Sequence, residues 1–204
     1  MKPFFALAAC AIALSIPSLG SASILYSSLP DNDISSPNIY GDYSISAQFS
    51  LSDDSVLDSA TVGLWMALNT PPSSLDWSIQ TASNGGVLFS GTGAALTNQG
   101  PSPVRNGQYD LYYSTFTLPA IALDAGTYWL HLSNCGTTDA DGCGWGINST
   151  TGSDVQFSSN GSSGIGKFAF SVQGAAVTGT PEPATWLMFV PALAGLATVI
   201  RRRA

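Results

Sequence analysis

Few residues in this chain could do chemistry, and they can be named one by one. His131 is the sole histidine and Glu182 the sole glutamate among the 204 residues. Nucleophilic hydrolysis needs a base beside an activated hydroxyl or thiol. No Gly-x-Ser-x-Gly elbow and no His-Glu-x-x-His stretch occurs. A Ser-His-Asp triad could be assembled only around His131, and a strand histidine beside Trp129 is the simpler account of it. Paired aspartates could serve glycoside hydrolysis, which uses two carboxyl groups at a set distance, but aspartates on polar loops usually stay solvated. A secreted hydrolase is the most distant of the readings kept open. No residue is assigned a catalytic role, and the chain is read as non-enzymatic.

Two other sets of residues suggest binding. Asp139-Ala140-Asp141-Gly142 sets alternate carboxylates beside a glycine, so that Asp139 and Asp141 could offer hard oxygen ligands to calcium. The distal glutamate of an EF-hand loop is missing, and a solvated turn explains the same residues. Asp31-Asn32-Asp33 is a weaker version of the pattern, and calcium is the one cofactor the residues suggest. Trp65 and Trp129 alternate with aliphatic rows, Leu64 and Met66 in one case and Leu130 and Leu132 in the other. They therefore fall on the opposite strand face, where an indole could stack on a sugar. Packing beneath a loop or the other sheet is the alternative. Trp77 shares a face with Leu75 and Ile79 and is expected in the core.

The elements that must position these residues are strands. Ile45, Ala47, Phe49 and Leu51 alternate with Ser44, Ser46, Gln48 and Ser50, the pattern of a half-buried strand. Further strands are expected at Ile24–Leu29, Thr61–Leu68, around Leu75–Ile79, at Tyr109–Leu118, Thr127–Leu132 and Cys143–Ile147, and at Phe168–Val172. Asn84-Gly85-Gly86 predicts a hairpin turn into Val87–Ser90, and Gly91–Asn106 reads as a long loop or edge excursion. Eight or more short strands, frequent turn residues and no amphipathic helix predict an all-β fold, an antiparallel β-sandwich of jelly-roll type over residues 24–173. A Gly/Ala/Thr linker follows at residues 174–180.

Between Ile24 and Thr180, Arg105 and Lys167 stand against twelve aspartates and leave a net charge of −10. Nucleic acid is excluded as a partner, because no cationic surface is available to displace counterions from phosphates. Ahead of this body, Lys2, the apolar stretch Phe4–Ile16, Pro17 and the small residues Gly20-Ser21-Ala22-Ser23 have the order of a secretory signal peptide, residues 1–23, cleaved after Ala22 or Ser23. Leu7-Ala8-Ala9-Cys10 also matches a lipobox, but the apolar run before Cys10 is short and continues past it. Loss of the signal leaves Cys135 and Cys143, a pair expected to form a disulfide outside the cytoplasm. No second Cys or His pair completes a zinc site. So small a loop fixes local shape more than it holds the domain together.

The other end of the chain is more specific. Pro181-Glu182-Pro183 is followed by the uncharged run Ala184–Ile200 and then by Arg201, Arg202 and Arg203. At about 1.5 Å per residue the run spans a thin bilayer core as one transmembrane helix, with the arginines on the cytoplasmic side. Residues 181–204 resemble the PEP-CTERM sorting signal, also called an ice-binding protein C-terminal domain. The resemblance implies a Gram-negative, typically exopolysaccharide-producing bacterium, in which an exosortase cleaves near Pro181-Glu182-Pro183 and the body passes to the cell surface or medium. The partners it implies are the export machinery and that membrane enzyme. An ice-binding role finds no regular threonine array to support it. The segments Leu64–Ala67, Leu75–Ile79 and Asp124–Leu130 resemble, more loosely, secreted lectin-like jelly rolls.

Together these features predict an exported protein, transiently anchored by residues 184–200 and then resident at the surface or in the extracellular matrix, with a structural or adhesive role. A carbohydrate-binding module for exopolysaccharide is the alternative. Intact-mass analysis of the protein recovered from cells and medium tests the sorting signal: a product ending near Pro181-Glu182-Pro183 is expected, and retention of Arg201–Arg203 in every form contradicts it.

Overall fold

The computed structural model describes residues 22–30, 36–102, 107–136, 142–148, 156–159, 162–165 and 167–177, all of them within one compact unit, Gly20–Pro181. The segments expected as signal peptide and transmembrane helix lie outside these residues. Among the described residues no helix is long and apolar enough to cross a membrane.

The described chain is all-β. Its strands are β1 (Ser23–Ser27), β2 (Ser44–Leu51), β3 (Ser55–Ala67), β4 (Ser74–Ala82), β5 (Gly85–Ala95), β6 (Thr97–Gln99), β7 (Tyr109–Leu123), β8 (Gly126–Gly136), β9 (Cys143–Trp145), β10 (Gln156–Ser159), β11 (Ser162–Ile165) and β12 (Phe170–Ala176). They form two antiparallel sheets. One runs β1-β12-β3-β7-β6 with β9 added to β3, and the other runs β11-β10-β2-β8-β4-β5. One apolar core lies between them. The first sheet sends in Leu64, Met66, Tyr112, Phe116, Phe170 and Val172, and the second sends in Ile45, Phe49, Leu75, Trp77, Leu130 and Leu132. This is the arrangement of a β-sandwich, in which alternate residues of each strand meet across the gap.

Aromatic rings join the sheets. Phe49 of β2 meets Tyr26 of β1 at 6.0 Å and Phe170 of β12 edge-on at 6.3 Å. Phe170 also meets Trp145 at 5.6 Å, and Trp77 stacks on Phe116 at 6.4 Å. Truncating such a buried phenyl ring to alanine typically costs about 3–5 kcal/mol.

Several elements differ from the sequence-based expectation. β3 begins at Ser55 and not at Thr61, so Asp58 lies on a strand and not in the connection. Its inward row changes parity between Leu57 and Ala60, where the ladder to β7 is irregular. β7 runs on past Leu118 to Leu123, and its own parity changes at Pro119-Ala120, with Ala120 at φ 48°. Gly91–Asn106 is not one long loop: β5 continues to Ala95 and β6 follows. The expected β4–β5 hairpin is present, reversing one residue earlier than predicted, at Ser83-Asn84.

β12 also extends beyond the expected end of the domain. Gly174, Ala175 and Ala176 pair with Leu57, Val56 and Ser55, so the first residues of the expected linker are strand. Gly174 sits at a register shift, and a Cβ there would run into the carbonyl oxygen of Val56 and stand 2.9 Å from the Leu57 Cα. These are backbone atoms that cannot rotate away. Gly174→Ala should therefore destabilise the domain by about 1–3 kcal/mol, the usual cost of forced overpacking. Chemical denaturation checks this, and an unchanged midpoint contradicts it.

Candidate functional site

The two sheets are tied together at one end by a short segment between β1 and β2. Ile39 N–H donates to the Cys143 carbonyl at 2.8 Å, and the Ile39 carbonyl accepts from Cys135 N–H at 3.1 Å. Trp145 N–H donates to the Pro37 carbonyl at 3.0 Å, and Asn38 bridges to Gly144. Cys135 belongs to β8 and Cys143 to β9, which lie in different sheets. Their disulfide, with Cα atoms 6.0 Å apart, therefore crosses between sheets over a sequence separation of 8. The expected bridge is present, and it does more than shape a local loop.

Beside this junction lies a cavity of about 150 Å³ lined by Ser36, Asn38, Trp65, Tyr109 and the turn Gly142–Gly144. Trp65 pairs with Gly144 on one side and with Leu111 on the other, which places it with Tyr109 on the outer face of the sheet. It is only 3 % exposed, whereas Tyr109 is 39 % exposed. Gly144 is required here because a Cβ would stand 2.6 Å from the Ser36 hydroxyl and 2.9 Å from the Ser36 carbonyl. The absence of that side chain lets residues 36–38 lie across β9.

Trp129 occupies the outer face of the other sheet, facing Gln48 on β2 and Gln80 on β4. It is 6 % exposed. Both tryptophans thus lie on the faces their alternation predicts, but neither is displayed as a flat stacking surface. They sit on different sheets and form no common platform. Trp77 is in the core, as expected.

His131 follows Trp129 on the same face. Its Nδ1 lies 2.8 Å from the hydroxyl of Ser46, and that hydroxyl also donates to Asn84 Oδ1 at 3.3 Å. Ser46 is wholly buried, and its hydroxyl is engaged by both of these neighbours. Among the described residues no carboxylate bonds to the ring. The nearby Asp76 accepts instead from Gly93 N–H and Asn134 Nδ2, each at 2.7 Å. The pair is a half-buried polar link between β2 and β8.

The remaining expected site residues divide by place. Ala22 and Ser23 lie at the start of β1. Asp139, Asp141, Asp31 and Asp33 lie outside the described residues, as do Pro181–Pro183 and Arg201–Arg203. Among the described residues no group of three or more His, Cys, Asp or Glu side chains could hold a metal ion. Ser36, Asn38 and Tyr109 were not anticipated as site residues. The one local signal near them is Gly142-Cys143-Gly144, a cysteine flanked by glycines. No family model matches this chain, and no curated protein is similar to it in sequence.

Burial holds the pKa of His131 below its ordinary value of 6.5. The unfolded chain then takes up a proton near pH 6.5 while the native ring stays neutral to lower pH. Stability should fall as pH drops from about 7.5 towards 5.5, because the unfolded state binds more protons there. Denaturation midpoints across this range should decline for the wild type and stay level for His131→Gln. Parallel declines would show that the ring does not titrate differently on folding.

Proposed function

We propose that this chain is an exported, non-catalytic protein of the cell surface or extracellular matrix, structural or adhesive in role, with a jelly-roll body delivered by its C-terminal sorting signal. Strand orders support the jelly-roll assignment. β1-β12-β3-β7 in one sheet and β2-β8-β4-β5 in the other have the interleaving of two Greek keys. The disulfide between sheets suits an oxidising compartment outside the cytoplasm.

β5 carries the structural reading. It is the outermost strand of its sheet, pairs only with β4 among the described residues, and exposes Val87, Leu88 and Phe89 at 58, 44 and 39 %. From Gly85 to Gln99 the chain has no charged residue. Soluble proteins usually protect such an edge with lysine, proline or a covering element. In a body of net charge −10 it is the stretch along which a second copy, or an extended segment of another matrix chain, can add with least charge repulsion. The carbohydrate-binding alternative is favoured by a separate observation, the cavity over Trp65, taken up below.

Sedimentation of the form recovered from the medium tests the role of β5. The average mass should rise with protein concentration, and Leu88→Lys, at an exposed site, should suppress the rise with an unchanged melting temperature. A monomer at every concentration would refute assembly through this edge.

A further inference from the structure

The cavity over Trp65 combines three features with one chemical meaning. First, three of its polar groups have no hydrogen-bond partner among the described residues. The Trp65 indole N–H is fully buried and unpaired. The Asn38 Nδ2 and the Ser36 hydroxyl make no bond to a described residue, although Asn38 Oδ1 accepts from Tyr40 N–H at 2.9 Å. By contrast, the indole N–H of Trp145, equally buried, donates to the Ala169 carbonyl at 3.1 Å. A buried donor left unpaired typically costs about 1–3 kcal/mol, so a ligand oxygen supplied to Trp65 recovers a cost the fold already bears.

Second, the lining has no charged side chain among the described residues: apart from Trp65 and Tyr109 it consists of Ser36, Asn38, Cys143 and two glycines. Lys167 is not among them. An anionic ligand would enter a body of net charge −10 with no cation among the described lining residues to receive it. Third, two of the seven lining residues are aromatic. Tyr109 is partly open to solvent and Trp65 is the buried wall, which suits a ligand carrying C–H surface as well as hydroxyl groups. At about 150 Å³ the space is smaller than the roughly 300–1,000 Å³ of clefts for larger ligands, so it takes a single ring and not a chain laid lengthwise.

We propose that this cavity is a binding site for one neutral sugar ring, with Trp65 Nε1 and Asn38 Nδ2 donating to its oxygens, Ser36 exchanging a hydrogen bond with a hydroxyl, and Tyr109 covering an apolar face. The site is on the opposite sheet from β5 and does not depend on assembly through that edge. It also differs from a flat platform of two tryptophans, because Trp129 takes no part.

The test is an NMR titration of the full-length protein in detergent, following the five indole N–H resonances, with the Trp65 signal assigned by its loss in Trp65→Phe. The probes are glucose, galactose, mannose and N-acetylglucosamine, with glucuronate as the anionic control. At least one neutral sugar should move the Trp65 signal saturably, with a Kd on the order of millimolar, while the Trp129 signal stays in place. Asn38→Ala and Ser36→Ala should each weaken that sugar about tenfold, the effect of about 1.4 kcal/mol for a lost hydrogen bond. The chemical-shift pattern of the sheets reports that each variant remains folded. The proposal is overturned if none of the four neutral sugars moves the Trp65 signal, if glucuronate moves it equally, or if both variants bind with unchanged Kd.

Discussion

One residue, Ile39, is hydrogen-bonded to both sheets at once, and the Cys135–Cys143 disulfide crosses beside it. Much of the structure depends on this junction. A β-sandwich is held across its middle by side chains, here Phe49, Phe170, Tyr26 and Trp145, but side-chain packing alone does not fix how the ends of the two sheets meet. Ile39, itself fully buried, fills the gap between β8 and β9 with backbone pairing. The disulfide then restricts the separation of the two strands in the unfolded chain. Closing a loop of this size contributes about 2–3 kcal/mol in the chain-entropy account, modest for a domain but concentrated where the sheets join.

The cavity follows from the same junction. Pairing of Pro37 and Ile39 with Trp145 and Cys143 draws Ser36 and Asn38 over the outer face of β3, and the glycines at 142 and 144 leave room for them. Gly142, at φ +83°, brings its backbone close to the Asn38 amide, with a hypothetical Cβ 3.2 Å from both polar atoms of that side chain. The result is a tryptophan covered from solvent by polar residues that do not satisfy its N–H. The outer face of the other sheet is built differently. There Ser46, His131 and Asn84 satisfy one another, and Gln80 donates to Ser78 at 2.9 Å. Each outer face keeps one buried polar atom without a protein partner among the described residues, Gln80 Oε1 on this sheet and Trp65 Nε1 on the other, and only the second stands beside a cavity.

Strands that bury one face and solvate the other could be read directly from the sequence. β2 is the clearest case, with Ile45, Ala47, Phe49 and Leu51 all in the core, and alternation also placed Trp77 inward and Trp65 and Trp129 outward. β5 was partly hidden because an exposed edge strand has no buried row to betray it, and its Gly, Ala and Thr residues resemble a loop. The full lengths of β3 and β7 were hidden by parity changes at Leu57–Ala60 and at Pro119-Ala120, which break the period-2 pattern on which the reading depends. The covering of Trp65 was not legible at all. It arises from contact between residues about a hundred positions apart, 36–38 and 142–144, and no local pattern records such a meeting.

The most direct test of the junction is amide hydrogen exchange, measured on the oxidised protein and again after reduction of Cys135–Cys143. In the oxidised protein the N–H groups of Ile39, Cys135 and Trp145 should be protected as strongly as those of Leu130 and Leu132 at the centre of β8. Reduction should lower protection at these three positions and at Trp65 while leaving Leu130 and Leu132 protected. Equal loss of protection throughout both sheets, or no loss at Ile39, would contradict the account that this end of the domain is closed by the disulfide and the segment beside it.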